Sequence, residues 1–205
     1  MYHFSRSLII LFLKVAFGFR VKGRENVPKT GGFILAPNHT SYLDPPVAGS
    51  ACPRMVYFLA KEELFTAPLL GTWIRLVGCL PVSRKLGDRH VIRKAVEYLK
   101  EGKCVCIFPE GMRVPPGMVK EGEPGVVLMA QMAQVPVVPM AILGTQPWTR
   151  KIFGFIPWFS RIEVRIGKPI VFHLKDDPKE RKAQFKEAVD EIMNNIRALK
   201  AGKSA

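Results

Sequence analysis

FILAPNHTSYLDPP, residues 33–46, carries the clearest signal of architecture in the chain. Its first five residues form an apolar run that opens after the turn pair Gly31-Gly32, which predicts a short buried strand. Turn and helix-start chemistry follows at once: Asn38, Thr40 and Ser41, then Pro45 and Pro46. A buried strand that runs into a helix start is the opening of an α/β unit.

Working outward, the same alternation continues. MVYFLA (55–60), CLPVS (79–83), KCVCIFP (103–109) and VPVVPMAIL (135–143) are strand candidates. In RIEVRIG, Ile162, Val164 and Ile166 alternate with charges, as in a strand with one wet face. Residues 62–78 are helical in pattern but broken near Pro68 and Gly71. A clearer helix starts at Asp88, a cap residue, carries Val91, Ile92, Ala95, Val96 and Leu99 at helical spacing, and stops at Gly102. Residues 114–124 are rich in Pro and Gly and read as a loop, and 126–134 as a helix. A last helix is predicted from a capping box, Asp177-Pro178 with Glu180, and has an apolar face of Phe185, Val189, Ile192, Ile196 and Leu199 before Gly202. Residues 1–20 are also helical in pattern. No internal repeat or linker interrupts the chain. The expectation is a single α/β domain with a largely parallel central sheet flanked by helices.

The 205 residues suffice for one domain with a full core, and 48% hydrophobic with 23% charged residues is a globular composition. The balance of 31 Lys and Arg against 17 Asp and Glu gives a formal charge of +14, a field that attracts anionic lipid, phosphorylated substrates, an acidic carrier protein or nucleic acid. No nucleic-acid module and no aromatic–basic stripe is present, so nucleic acid ranks last. Cys52, Cys79, Cys104 and Cys106 show no zinc-like spacing and read as reduced core thiols. Residues 8–19 (LIILFLKVAFGF) are too short to span a bilayer, are interrupted by Lys14 and lack a small-residue cleavage site. Arg6, Arg20, Lys22 and Arg24 flank the run. It reads either as an N-terminal core helix or, favoured here, as a helix lying in an anionic membrane interface.

Two constellations can carry chemistry. The first is His39 with Asp44, in the loop after the strand at 33–37. In α/β sheets the loops beyond strand ends are where sites form. A carboxylate beside an imidazole holds one tautomer and stabilises the imidazolium, which makes a general-base pair. The same five-residue spacing also fits a surface His and a helix cap. The second is Phe108-Pro109-Glu110-Gly111-Met112-Arg113, again directly off a buried strand. Gly111 permits close backbone approach, and Arg113 suits bidentate phosphate contact. A structural turn with a Glu110–Arg113 ion pair is the other interpretation.

With these residues in order, the chain resembles the 1-acylglycerol-3-phosphate acyltransferase family. Four blocks carry the resemblance: the histidine-x4-aspartate motif (His39 to Asp44), a glycine-to-arginine stretch (Gly78 to Arg84), the FPEG-x-R motif (Phe108 to Arg113) and a V-P-V-V-P stretch (Val135 to Pro139). The match covers about residues 20–170, and four ordered blocks are specific where any one would not be. Lys61 in AKEEL and Lys120 match further family lysines. Met112 departs from the usual Thr or Ser, and Val114-Pro115-Pro116-Gly117 replaces a more polar run.

The resemblance implies acyl transfer from acyl-CoA or an acyl carrier protein thioester to lysophosphatidic acid, giving phosphatidic acid in phospholipid synthesis. His39 would be the base and Asp44 its orienting group. Lys61, Arg84, Arg113 and Lys120 would bind the acceptor phosphate, and Glu110 and Gly111 would shape the glycerol pocket. A thioester is already activated, so no cofactor and no metal is expected. The chain would divide into a membrane-associating helix over 1–20 and an acyltransferase domain over 21–205, on the cytoplasmic face of a membrane (the plasma membrane in a bacterium). A covalent route through Cys79, Cys104 or Cys106 is the rival mechanism. Another lysolipid acceptor, or a non-catalytic basic lipid-binding protein, are the alternative functions.

Overall fold

The computed structural model describes residues 2–67, 71–72, 74–75, 78–82, 88–115, 120–146, 161–173 and 180–203. Among the described residues seven strands form one sheet: β1 (Arg20–Lys22), β2 (Phe33–Pro37), β3 (Val56–Lys61), β4 (Cys79–Val82), β5 (Cys104–Cys106), β6 (Val137–Leu143) and β7 (Glu163–Ile166). Their order is β1-β7-β6-β2-β5-β3-β4. The five strands from β6 to β4 are mutually parallel. β7 turns antiparallel to β6, and β1 pairs in parallel with β7 at the edge. The domain is therefore α/β with a mostly parallel sheet, as its strand and helix patterns predict.

Both faces of the sheet are covered. α1 (Tyr2–Phe17) and α2 (Asp44–Ala51) pack on one face, where Leu13, Phe17, Val47 and Ala48 meet Phe33, Leu35, Val138 and Met140. α3 (Asp88–Lys100), α4 (Gly125–Ala133) and α5 (Arg181–Lys200) pack on the other, where Leu99, Val127, Val189 and Ile192 meet Ile34, Ala36, Val105 and Val137. Successive β2 residues thus go to opposite cores, which is why the strand reads as an unbroken apolar run.

Local chemistry explains the boundaries. Pro45 and Pro46 sit in the first turn of α2, where a missing N–H costs nothing. α3 ends at Gly102, whose φ of +79° lets Lys103 N–H reach the Tyr98 carbonyl at 3.0 Å. On β7, Val164 and Ile166 are buried and Glu163 and Arg165 half-buried, the expected alternation.

Three expectations shift. β5 is shorter than the predicted 103–109, because the backbone leaves the ladder after Ile107 to build the turn at Phe108–Arg113. The described α5 starts at Arg181, with Glu180 before it and no side-chain cap; Asp177 and Pro178 lie outside the described residues. β1 has no sequence signal, since three residues with one apolar member show no period.

The N-terminal segment is half of each thing it could be. Leu13 and Phe17 are buried in the core, and Arg6 donates to the carbonyls of Gly49, Ser50 and Cys52 at the C-terminal end of α2. Phe4, Leu8, Leu11, Phe12 and Val15 remain exposed. Among the described residues no helix is long and apolar enough to cross a membrane.

Candidate active site

Because β6, β2, β5, β3 and β4 run in parallel, their carboxyl ends open on one edge of the sheet. His39 follows β2, the turn at Phe108–Arg113 follows β5, Thr145 follows β6, and β3 ends at Lys61. Arg84 lies two positions past β4, outside the described residues, and the Lys61 side chain is likewise not described.

The segment after β2 is fixed residue by residue. Buried Asn38 accepts the Ile142 N–H at 2.7 Å and donates to the Ile142 carbonyl at 3.1 Å, so its amide continues the β2–β6 pairing one position further. The His39 N–H donates to Glu110 Oε2 at 2.7 Å, and its carbonyl accepts from Val114 N–H at 2.8 Å. The loop after β5 therefore grips the His39 backbone on both sides. The imidazole stacks on Phe108, with centroids 3.9 Å apart and planes 21° from parallel.

Asp44 is 0% exposed, and four donors converge on its carboxylate. Oδ2 accepts from Thr40 N–H at 2.6 Å and Ser41 N–H at 2.7 Å, and lies 3.0 Å from His39 Nδ1. Oδ1 accepts from the Thr145 hydroxyl at 2.7 Å. The first turn of α2 adds favourable backbone dipoles. An ionised carboxylate only accepts, so this donor set assigns the proton of the neutral His39 to Nδ1 and leaves the lone pair on Nε2. The His39 side chain is 16% exposed, mostly buried yet open to solvent on one side. The pair has the geometry of a base and its orienting group.

Glu110 is also buried, and burial pushes its carboxyl above the ordinary 4.5, opposed by the His39 N–H. Its carboxylate goes to His39 and not to Arg113, so the ion pair considered from sequence is replaced by a backbone contact. Arg113 instead lies over the exposed ring of Tyr42, 3.5 Å from its centroid. Lys120 donates to the Glu110 carbonyl at 2.7 Å and pairs with Glu123 Oε1 at 2.9 Å. Gly111 takes φ +68°, and a β-carbon there would stand 3.0 Å from Glu123 Cγ. Among the described residues no group of His, Cys, Asp and Glu is arranged to hold a metal ion.

The acyltransferase family model matches residues 18–143, which contain His39, Asp44 and the whole turn after β5. This chain belongs to the acyltransferase family. Within that family it is similar to the 1-acyl-sn-glycerol-3-phosphate acyltransferase of Bacillus subtilis, 30% identical with 96% of each chain covered. The enzyme of the same description from Streptococcus pneumoniae is 28% identical over 95% of this chain and 70% of its own. Among solved structures, the 1-acyl-sn-glycerophosphate acyltransferase of Thermotoga maritima superposes with a TM-score of 0.71 at 27% identity, covering 98% of this chain and 82% of that one.

The sequence pattern picked out His39, Asp44, Glu110, Gly111 and Arg113, and the fold gathers them at one edge. It did not pick out Asn38, Phe108 as the stacking partner, or Thr145. For Thr145 the available signal was a polar residue just past the last apolar residue of a parallel strand.

Proposed function

We propose that this acyltransferase moves a fatty acyl group from an acyl thioester, acyl-CoA or acyl carrier protein, to the sn-2 hydroxyl of 1-acylglycerol-3-phosphate, making phosphatidic acid. The observation that carries the reading is the His39–Asp44 pair, with its Nε2 lone pair at the carboxyl edge of the sheet. The acceptor named in the descriptions of the relatives supports the substrate class.

In this reading Nε2 removes the proton of the acceptor hydroxyl as its oxygen attacks the thioester carbonyl. Asp44 stabilises the imidazolium that forms. The tetrahedral oxyanion collapses, the C–S bond breaks, and the imidazolium returns its proton to the leaving thiolate. Arg113 offers two parallel donors to the acceptor phosphate; Lys120 adds positive charge, and Lys61 and Arg84 are assigned the same part from the family resemblance alone. Glu110, by fixing the His39 backbone, and Gly111, by turning the chain at φ +68°, would set the wall of the glycerol pocket. The thioester is already an activated donor, so the step calls for no cofactor.

Direct transfer is favoured over a cysteine intermediate by the thiols themselves. Burial pushes Cys79 up to about 11 and Cys104 and Cys106 well above their ordinary range, which disfavours the thiolate. The exposed apolar face of α1, with Lys14, Arg20, Lys22 and Arg24 nearby, suits the cytoplasmic surface of an anionic membrane, where the lipid acceptor resides.

The deciding experiment is acyl transfer to lysophosphatidic acid in mixed vesicles, with acyl-CoA and acyl carrier protein thioesters compared and other lysolipids run alongside. Turnover that survives His39→Ala would refute the assignment, and preference for another lysolipid would move the acceptor but keep the chemistry.

A further inference from the structure

We infer that Thr145 is a positioning residue that completes the His39–Asp44 pair from the opposite side of the carboxylate; this rests on the acyl-transfer function proposed above. Thr145 is 0% exposed, two residues past β6, and 101 positions from Asp44 in sequence. Its hydroxyl lies 2.7 Å from Asp44 Oδ1 and 3.5 Å from Thr40 Oγ1. A threonine hydroxyl has one proton to give. Asp44, as a carboxylate, cannot donate, so Thr145 gives its proton to Oδ1 and can accept only from Thr40.

The two carboxylate oxygens are then unlike. Oδ2 takes three donors, all from residues 39–41, and Oδ1 takes one, from the far side of the sheet edge. Rotation about the Cβ–Cγ bond would carry both oxygens, and the three local bonds resist it at Oδ2 while the Thr145 bond resists it at Oδ1. With the carboxylate plane held, Oδ2 stays aligned with Nδ1, and Nε2 keeps the lone pair the reaction uses. The sheet holds Thr145 against that loop: β6 is paired to β2 from Val137 to Met140, and Asn38 ties Ile142 to the segment carrying His39. Substrate need not touch Thr145 for this role.

Thr145→Val keeps the shape and removes the hydroxyl, and leaves a buried carboxylate oxygen without its donor. The expected result is a kcat lower by roughly 5- to 100-fold with KM for both substrates little changed, the scale set by one unsatisfied buried acceptor. Thr145→Ser restores the hydroxyl and should recover most of kcat. Thr145→Ala, which removes the hydroxyl and adds no bulk, takes the place of the valine variant if that one does not fold. A second readout is independent of turnover: in ¹⁵N-histidine-labelled protein the His39 ring, assigned by comparison with His39→Ala, should show a protonated Nδ1 in wild type and Thr145→Ser, and a mixed tautomer in Thr145→Val or Thr145→Ala. Wild-type kcat and an unchanged His39 signal in the hydroxyl-less variants would overturn the inference, as would a serine variant no better than they are. If His39→Ala stays active, the assignment of His39 as the base fails and the Thr145 role falls with it; a silent Thr145 variant beside a dead His39→Ala sinks the Thr145 role alone.

Discussion

Glu110 Oε2 accepts the backbone N–H of His39 at 2.7 Å, so the loop after β5 positions the catalytic candidate through its main chain. Two substitutions separate that contact from the charge. Glu110→Gln keeps an acceptor oxygen and should retain much of the activity, whereas Glu110→Ala leaves a buried N–H unpaired and should lose activity and roughly 1–3 kcal/mol of stability. The pH dependence has a definite sign. Burial raises the Glu110 carboxyl above 4.5, so the folded chain holds this proton more tightly than the unfolded chain. Its contribution to stability is fully present below 4.5 and lost as pH rises through the folded value. Thermal melts of wild type minus Glu110→Gln should therefore fall as pH rises from 4.5; a flat difference would show that burial does not govern this carboxyl.

Arg113 and Tyr42 make the second testable pair. Both are exposed, and the guanidinium lies over the ring. Such a contact at an exposed site contributes about 0.5–1 kcal/mol, enough to bias where Arg113 waits but not to hold it against a phosphate. Arg113→Ala should raise KM for the acceptor by about tenfold or more with a smaller effect on kcat, and Arg113→Lys should not rescue it, because an ammonium lacks the planar fork. Tyr42→Phe should resemble wild type, and Tyr42→Leu should raise the same KM a few-fold. An acceptor KM untouched by Arg113→Ala would remove this residue from the phosphate site.

The fold was legible where burial is two-sided. β2 and β6 are apolar runs because helices cover both faces, and the pattern found them, with β3 and β4, within two residues or so. β1 was not legible, since Arg20-Val21-Lys22 is an edge strand whose pairing with β7 comes from the tertiary fold. In the site, His39 and Asp44 lie in one local loop, but their spacing alone also fits a surface His and a helix cap; their place after a buried strand and the ordered blocks that follow made them visible. Thr145 reaches Asp44 across 101 positions, and Asn38 reaches Ile142 across 104; only the parallel order β6-β2 makes them neighbours. The Glu110 contact was hidden for a different reason: it goes to a backbone N–H, which leaves no trace in residue type.

The cysteines give a clean test of direct transfer. Cys104 and Cys106 are buried, Cys79 is half-buried with its thiol pushed up to about 11, and Cys52, which the hydrogen bond with Cys104 pulls down, is 0% exposed and so shielded from reagent. At pH 8 the folded protein should react with a thiol alkylating agent far more slowly than the same chain in denaturant. Each Cys→Ala variant should keep turnover within about threefold of wild type, the scale of a modest packing defect and not of a lost nucleophile. An acyl-thioester adduct found by mass spectrometry on any one of them, coupled to loss of turnover in that variant, would overturn direct transfer.

The two faces of α1 predict two separable phenotypes. Leu13 and Phe17 are buried against the sheet, so Leu13→Ala should cost about 2–5 kcal/mol, read as a lower denaturation midpoint. Arg6 caps the carbonyls at the end of α2, and Arg6→Ala should loosen that helix pair and also lower the midpoint. Leu8, Leu11 and Val15 point the other way and are exposed. Replacing these three by Gln removes no core contact, so the midpoint should hardly move. If this face lies on lipid, the triple variant should sediment poorly with anionic vesicles and lose activity on vesicle-borne acceptor, while keeping activity on the same acceptor dispersed in detergent. Neutral vesicles and high salt should weaken binding of the wild type, because the flanking Lys14, Arg20, Lys22 and Arg24 add attraction that anionic headgroups reciprocate and salt screens. Undiminished vesicle binding by the triple variant would place the lipid contact elsewhere on the molecule and leave α1 as a core helix with an idle apolar face.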